Sequence, residues 1–272
     1  MNQSSSSVNV VIVGALGRMG SQAVGAVLAA DGLELVGAVA RRQAGEDVAL
    51  ATGGQAPCGV EIQTNLASVL ADRKPEVVID LTRPDCVFAN ALAIIDAGAR
   101  PVIGATGLDN AQLGQLAQAV QTKGTSGIYV PNFSIGAVLM MQFAAQASLY
   151  FDHVEITETH HNQKKDAPSG TAIRTAELME QKRPQFAIDN LADEVETLPG
   201  SRGGRRPSGI RIHSLRLPGA VAHQEVVFGD TGQLLTIRHD ALDRSCFMPG
   251  VVHAARTIGS KRGFFVGLEH LL

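Results

Sequence analysis

Residues 8–20 read VNVVIVGALGRMG, and this stretch decides the fold. The run from Val8 to Val13 is apolar except for Asn9, which is typical of a strand buried on both faces of a parallel sheet. Glycines follow at positions 14, 17 and 20, and the next ten residues carry apolar side chains at helical spacing. A strand, a glycine turn and a helix in this order open a βαβ unit.

The same alternation continues as far as residue 130. Further apolar runs stand at 33–40, 76–80, 101–104 and 126–130, with a shorter candidate at 59–63, and helical segments separate them. Strands that alternate with helices predict an α/β fold with a Rossmann-like, doubly wound parallel sheet. Because short polar side chains accept hydrogen bonds from helix amides, three of these helices are predicted to be capped by Thr64-Asn65, by Asp85 and by Asp109.

The pattern changes after residue 133. A long apolar helix is predicted at 134–150 and a second helix at 171–182, and alternating strands are predicted at 153–159, 210–217, 224–228 and 233–239. These elements predict an α+β domain with an open mixed sheet. The segment 183–209, rich in Pro, Gly, Arg and acidic residues, is interpreted as a mobile insertion whose basic run SRGGRRPSG is a solvated loop. The final residues, 263–272, are expected to return to the first domain.

Composition limits the possible partners and compartments. At 45% hydrophobic and 18% charged residues, the 272-residue chain is an ordinary globular protein, and its net charge of -3 supplies no basic field for nucleic acid. The start resembles a frayed serine tail (1–7) rather than a secretory signal, and no run of about 18 apolar residues could cross a membrane. Three widely spaced cysteines favour a reducing, cytoplasmic location over a disulfide framework or a zinc site.

The glycine turn predicts a dinucleotide site. Glycines let the backbone approach a pyrophosphate, and the amides at the start of the following helix can bind it. The match to GxGxxG is imperfect, because Leu16 occupies the middle position, and the turn alone is compatible with an ordinary strand–helix connection. Arg41 and Arg42 stand where an acidic residue would bind the ribose of NAD. A guanidinium pair there fits the 2′-phosphate of NADP, although it also fits a solvated strand end.

Two more loops belong to the same edge of the predicted sheet. GATG at 104–107 and VPNF at 130–133 each follow the carboxyl end of a strand, which is where open α/β sheets bind ligands. Either loop alone is compatible with an ordinary turn. Together they are predicted to flank the nicotinamide half of the cofactor.

The stretch ETHHNQKKDAPSGT at 158–171 is the most charge-dense part of the chain. His160, His161 and Lys164 do not reproduce HExxH, so a metal site is not expected. The stretch offers an imidazole that titrates near neutrality, a lysine, and a helix start at 169–171 whose amides can bind a carboxylate. It therefore predicts a site for an anionic substrate.

Four segments together resemble the bacterial dihydrodipicolinate reductases, now called 4-hydroxy-tetrahydrodipicolinate reductases. The segments are GALGRMG at 14–20, GATG at 104–107, PNFSIG at 131–136 and ETHHNQKKDAPSGTA at 158–172. The resemblance covers essentially the whole chain, and the last segment is its most specific part. It implies NAD(P)H-dependent reduction of a small dicarboxylate in lysine and diaminopimelate biosynthesis by a homotetramer. It also implies a dinucleotide-binding domain at 1–131 and 241–272, and a substrate-binding and oligomerisation domain at 132–240.

The resemblance also implies roles for individual residues. His160 would donate or accept a proton, or chiefly orient and polarise the substrate, and Lys164 would donate a proton. His161, Gly170 and Thr171 would bind the substrate carboxylates. Besides Arg41, the cofactor would contact Gly14, Ala15, Leu16, Gly17, Arg18, Met19, Gly104, Ala105, Thr106, Val130, Pro131, Asn132 and Phe133. Because family members that use NADH well often carry an acidic residue where Ala40 stands, NADPH is expected to be preferred, with NADH possible.

Two other functions fit parts of the sequence. Another NAD(P) oxidoreductase of amino-acid metabolism, such as an aspartate or homoserine dehydrogenase, would share the βαβ half but not the loop at 158–171. A non-catalytic cofactor-sensing protein would bind NADPH without turnover. The loop favours the reductase over both.

Overall fold

The computed structural model describes residues 7–188 and 195–272. The first six residues of the predicted serine tail and the part of the predicted insertion at 189–194 lie outside the described residues. The chain divides into two compact units, one formed by the residues up to Ile135 with Arg244–Leu272, the other by Gly136–Asp243. Among the described residues, no helix is both long enough and apolar enough to cross a membrane.

The first unit is built on a seven-stranded sheet in which every pairing is parallel. Its strands are β1 (Val8–Val13), β2 (Leu33–Val39), β3 (Ile62–Gln63), β4 (Val77–Asp80), β5 (Arg100–Ile103), β6 (Ser126–Tyr129) and β12 (Gly263–Val266). Their order is β12-β6-β5-β4-β1-β2-β3, so β12 returns from the end of the chain to pair with β6. Chain order reverses at β1, which is where doubly wound sheets bind ligands.

The core of this unit explains why β1 shows no polar alternation. Val10, Val11 and Ile12 have no exposed surface, because both faces of the sheet are covered. The covering helices are α1 (Gly20–Leu28), α2 (Val48–Ala51), α3 (Leu66–Arg73), α4 (Val87–Asp96), α5 (Asn110–Lys123) and α8 (Met248–Thr257). The predicted doubly wound fold class is confirmed.

Two of the three predicted helix caps are present. The Asn65 side chain accepts from the amide of Ser68 at the start of α3, and Asp109 forms a capping box with Gln112 at the start of α5. The prediction for Asp85 is wrong, because α4 begins at Val87 without a side-chain cap. The carboxylate of Asp85 instead forms an ion pair with Arg83, a local partner that competes with the helix amides.

The second unit is built on a five-stranded mixed sheet in the order β11-β10-β7-β9-β8. Its strands are β7 (His153–His160), β8 (Gly204–Arg205), β9 (Arg211–Arg216), β10 (Ala222–Asp230) and β11 (Gln233–Ala241). Strand β7 is antiparallel to β10 and parallel to β9. Helix α7 (Gly170–Lys182) packs on one face, with Met179 against Ile156 and Phe228, and α6 (Ile135–Ala147) adds Ala144 to the same core.

The described part of the predicted insertion at 183–209 is anchored to this unit. Phe186 is buried in the core beside Ile210, and β8 pairs with β9. Arg206 donates from Nε and Nη2 to the two carboxylate oxygens of Glu180 on α7, at 2.6 and 2.7 Å. The interpretation as a mobile loop is therefore wrong for Phe186 and for 204–206, because partners distant in the sequence hold them. Gly204 and Arg205 are nevertheless exposed, as a solvated run would be.

The Arg206–Glu180 pair predicts a pH-dependent contribution to stability. Hydrogen bonds from Arg206 lower the pKa of Glu180 and outweigh burial. Such a group stabilises the fold above the unfolded pKa of about 4.3, and the contribution is lost as the pH falls through the folded value. We expect Glu180→Gln to lower the free energy of unfolding by about 2 kcal/mol at pH 7, and by less at pH 4, in urea titrations.

The matched control is Glu177→Gln on the same helix. Glu177 forms a 3.7 Å ion pair with Arg174, and both side chains are exposed. We expect a change of less than about 0.5 kcal/mol. Equal effects of the two substitutions would contradict the assignment of the anchor to Glu180.

Replacement by alanine should have opposite effects on stability at two helical glycines, Gly250 and Gly25. A Cβ atom at Gly250 in α8 would lie 1.9 Å from the carbonyl oxygen of Phe133, whereas one at Gly25 in α1 would meet nothing within 4 Å. We expect Gly250→Ala to destabilise the protein by about 1–3 kcal/mol, because backbone must shift, and Gly25→Ala to stabilise it by about 1 kcal/mol. Thermal unfolding of both variants measures the difference. A shift in the same direction for both would refute the close approach at Gly250.

Candidate active site

The glycine turn after β1 lies between the ends of β2 and β4. The amide of Gly14 donates to Val39 at the end of β2, at 2.9 Å. Gly14 has φ +82°, and a Cβ there would lie 2.8 Å from the carbonyl oxygen of Leu81. A Cβ at Gly20 would lie 2.0 Å from the carbonyl oxygen of Gly14. Glycine is therefore required at both positions for the turn to close.

Residues of this turn present unpaired backbone amides. In the part of the chain that the structure describes, the amides of Leu16, Arg18 and Met19 donate no hydrogen bond, and α1 begins directly after them. Amides at a helix start are a favourable environment for an anion, because the helix dipole adds to their own. The residues present therefore fit the pyrophosphate of a dinucleotide.

The arginine pair follows β2. Arg41 and Arg42 are both exposed, and neither forms an ion pair or hydrogen bond with any residue at 7–188 or 195–272. Ala40, just before them, is buried and donates its amide to Gln63 at 3.0 Å. Two guanidinium groups are thus available at the carboxyl edge of the sheet. The hydrogen bond from Ala40 to Gln63 ties the end of β2, just before them, to β3.

The other two predicted cofactor loops contact each other at this edge. Val130 donates its amide to Ile103 at 2.8 Å, which joins the ends of β5 and β6. A Cβ at Gly104 would lie 2.5 Å from Cε2 of Phe133 and 2.6 Å from Cδ2 of Leu81. The predicted residues at 14–19, 104–106 and 130–133 are therefore brought together around Leu81.

Asp80, which the sequence reasoning did not single out, organises this meeting point. It ends β4 with no exposed surface, and its carboxylate accepts from the Thr82 amide at 2.9 Å, the Thr82 hydroxyl, and Nδ2 of Asn90 at 2.9 Å. Burial raises the pKa of the Asp80 carboxyl, and these hydrogen bonds only partly offset it. The sequence feature that could have pointed to Asp80 is its position as the last residue of the predicted strand EVVID, directly after three apolar residues.

The second candidate set lies on the loop after β7. His160 is the last residue of the strand, with a side chain 15% exposed, and the amide of Lys164 donates to His161 at 3.1 Å in the turn that follows. Ser169 caps α7 by accepting from the amide of Ala172 at 3.2 Å. The structure thus brings His160, Lys164 and the start of α7 onto one loop.

The start of α7 is open to a ligand of this unit. A side chain at Gly170 would meet no atom within 4 Å, and Gly170 is exposed. His161 is exposed as well, and Thr171 is half-buried. The Lys164 ammonium lies 2.8 and 2.9 Å from the carboxylate oxygens of Asp166, and this contact lowers the pKa of Asp166.

Glu158 and Arg216 are functional candidates that the sequence reasoning missed. Glu158 is completely buried and accepts from Nη1 and Nη2 of Arg216, at 2.9 and 2.8 Å, and from the Ser169 amide at 3.1 Å. Its Oε2 lies 2.5 Å from Nδ1 of His160. Burial alone would raise the pKa of Glu158, but the bonds from Arg216, Ser214 and His160 lower it below its usual value. Strand alternation places Glu158 on the same face as the buried Val154 and Ile156, which was the available signal.

The same contacts set the charge of the imidazole. Burial lowers the pKa of His160, the Glu158 carboxylate raises it, and the positive charges of Lys164 and Arg216 lower it again. The net shift of the His160 pKa is downward, which favours the neutral ring over the imidazolium. Among the described residues, no group of three or more His, Cys, Asp or Glu side chains could hold a metal ion.

Comparisons with known proteins agree along the whole chain. The family models "Dihydrodipicolinate reductase, N-terminus" and "Dihydrodipicolinate reductase, C-terminus" match residues 8–133 and 136–272. The 4-hydroxy-tetrahydrodipicolinate reductase of Synechococcus elongatus is 46% identical over 271 residues, covering 97% of this chain and 98% of the relative. That of Moorella thermoacetica is 45% identical over 265 residues, with the same coverage.

Solved structures give the same result. A dipicolinate-bound dihydrodipicolinate reductase from Paenisporosarcina sp. TG-14 is 41% identical with a TM-score of 0.87, covering 98% of this chain and 100% of that one. An amine dehydrogenase from Mycobacterium smegmatis, at 13% identity and a TM-score of 0.71 over 97% and 96% of the chains, shares the fold alone. The resemblance seen in the motifs, and the prediction of an oxidoreductase, are confirmed. The chain belongs to the dihydrodipicolinate reductase family.

Proposed function

We propose that this chain reduces 4-hydroxy-tetrahydrodipicolinate (dihydrodipicolinate) to tetrahydrodipicolinate with NAD(P)H, in lysine and diaminopimelate biosynthesis, through His160 and Lys164. The reaction is that of the family to which the chain belongs. The observation that supports the residue assignment is a partly buried imidazole at the end of β7, followed by a loop that carries a lysine and leads to an open helix start. The loop at 158–171 also argues against an aspartate or homoserine dehydrogenase, since neither carries it.

The reaction needs proton chemistry from the protein. When bound at the glycine turn and its neighbouring loops, NAD(P)H would supply the hydride, and the acceptor would be the conjugated cyclic imine that forms as water leaves the substrate. The electron-rich product must then take up a proton. Lys164 is the group that donates it, and the neutral ring of His160 exchanges a proton or orients and polarises the substrate. A positioned general acid contributes about 10²–10⁴-fold to the rate.

Substrate binding follows from the two carboxylates. A carboxylate at the start of α7 would accept hydrogen bonds from the Gly170 and Thr171 amides, in the favourable field of the helix dipole. His161 lies exposed beside them and completes the proposed contacts. The relative from Paenisporosarcina is described as bound to dipicolinate, a small dicarboxylate, which supports the same substrate class here.

The proposed cofactor is NADPH, with NADH as the poorer alternative. The turn at 14–19 and the loops at 104–106 and 130–133 would hold the dinucleotide. Arg41 and Arg42 are free to form charge-assisted hydrogen bonds with a 2′-phosphate. No carboxylate stands at Ala40 to accept the ribose hydroxyl of NADH. A homotetramer, which the family resemblance implies, and a cytoplasmic location, which the three widely spaced cysteines favour, complete the proposal.

Removing either proton-transfer group should slow turnover and spare cofactor binding. We expect His160→Gln and Lys164→Ala each to lower kcat by about 10²-fold or more, because each removes a group needed for proton transfer or polarisation. The NADPH dissociation constant, followed by fluorescence titration, should stay near wild type. NADPH consumption with freshly condensed pyruvate and aspartate semialdehyde is the assay.

Lys165→Ala is the matched control, because Lys165 adjoins Lys164 but is exposed, and its side chain forms no hydrogen bond or ion pair with the described residues. It should turn over like wild type. Unchanged turnover in both test variants would overturn the site assignment. NADPH binding without turnover in the wild-type chain would instead favour a cofactor sensor.

The arginine pair should set the cofactor preference. We expect the double substitution Arg41→Ala, Arg42→Ala to lower kcat/KM for NADPH by roughly 10–100-fold, the loss expected for hydrogen bonds to a charged group, and to leave NADH nearly unaffected. The control is Arg73→Ala, an exposed arginine at the end of α3 and hence at the other edge of the sheet. A wild-type enzyme that strongly favours NADH would refute the preference.

A further inference from the structure

We propose that Glu158, held by Arg216, is a positioning residue that sets the tautomer and orientation of His160. In this arrangement the ring carries its proton on Nδ1 and leaves Nε2 for the substrate. The inference rests on the proposed function, in which His160 acts on the substrate.

The first step is the charge state of Glu158. Its side chain has no exposed surface and lies on the covered face of β7, opposite Gln224 on β10 and Ser214 on β9. A buried carboxylate is stable only when it is paired and hydrogen-bonded. The bidentate contact with Arg216 and the amide of Ser169 supply both. Glu158 is therefore ionised and can only accept hydrogen bonds.

The second step is the tautomer of His160. Since an ionised carboxylate cannot donate, the ring nitrogen 2.5 Å from Oε2 of Glu158 must be the donor. That nitrogen is Nδ1, so the neutral ring has its lone pair on Nε2. A hydrogen bond to one ring nitrogen fixes which nitrogen can exchange a proton at the other side.

The third step is the position of the loop. Besides binding Glu158, Nη2 of Arg216 donates to the backbone oxygen of Asp166 at 2.7 Å. The carboxylate of Asp166 in turn binds the ammonium of Lys164. One ion pair thus connects His160, Lys164 and the cap of α7. A change at Glu158 should disturb the catalytic groups before it disturbs the core.

A purely structural role predicts a different outcome. Breaking any buried ion pair destabilises a fold, whether or not the pair serves catalysis. A loss of stability or activity alone therefore cannot decide between the two roles. The protonation of one imidazole nitrogen, and the pH at which that imidazole titrates, respond only if Glu158 controls His160.

The electrostatic surroundings give the direction of the pH effect. The charged groups that act on His160 within its unit are Glu158, which favours the imidazolium, and Lys164 and Arg216, which disfavour it. Glu158→Gln removes the one of these three charges that stabilises the imidazolium form of His160. The limb of the kcat/KM profile that reports His160 should therefore move to lower pH.

The test compares variants of the full-length protein. We expect Glu158→Gln to lower kcat by about 10²-fold while the NADPH dissociation constant stays unchanged, because a neutral amide has one acceptor oxygen instead of two and holds the Nδ1 proton less strongly than a carboxylate does. Glu158→Asp keeps the charge, so the pH limb should stay closer to wild type. The matched control is Glu155→Gln on the same strand, where Glu155 pairs with His213 at 2.6 Å and with Arg202 at 2.9 Å. It should change neither kcat nor the pH limb.

Nitrogen-15 NMR of the imidazoles tests the tautomer directly. His160, assigned by the signal that His160→Gln removes, should show protonated Nδ1 in the wild-type protein and a mixture of both tautomers in Glu158→Gln. Protonated Nε2 in the wild type would overturn the inference, and this measurement needs no variant of Glu158 to fold. Wild-type kcat and pH limb in Glu158→Gln would overturn it too. Normal turnover of His160→Gln would instead refute the catalytic role proposed for His160, whereas a wild-type protein that does not turn over the substrate would refute the proposed reaction.

Discussion

The ion pair between Glu158 and Arg216 is the interaction on which the second unit's candidate site depends. A carboxylate with no exposed surface loses its hydration, a cost of several kcal/mol that only close partners can offset. Arg216 meets it with two parallel hydrogen bonds, and the amide of Ser169 adds a third. Because these partners leave the carboxylate little freedom, it becomes a rigid acceptor for His160. The loop at 160–169 is held from within the sheet.

The first unit uses a buried carboxylate in a comparable place. Asp80 ends β4 as Glu158 nears the end of β7, and each holds the backbone that follows a strand. The two differ in their partners. Glu158 has a guanidinium, which keeps its pKa low, whereas Asp80 has only neutral donors, and burial keeps its pKa raised. The first therefore serves as a fixed charge, and the second as an acceptor that shapes the turn around Leu81.

Local signals predicted local structure well. Asn65 and Asp109 cap helices because their partners lie three residues away, within the same turn. Asp85 failed where an equally local partner, Arg83, competed for its carboxylate. The insertion at 183–209 was misjudged at Phe186 and Arg206, because composition reports exposure on average. Composition does not reveal that Phe186 packs beside Ile210, or that Arg206 pairs with Glu180, in the folded unit.

By itself the sequence determined the fold class, the family and the identity of the charge-dense loop, since each is written in contiguous segments such as 8–20 and 158–172. Only the tertiary structure decided that Glu158 meets Arg216, 58 residues further along the chain. That contact follows from the register of β7 against β9, which places Arg216 opposite His160. Strand register is set by the packing of a whole face, so no single segment encodes it.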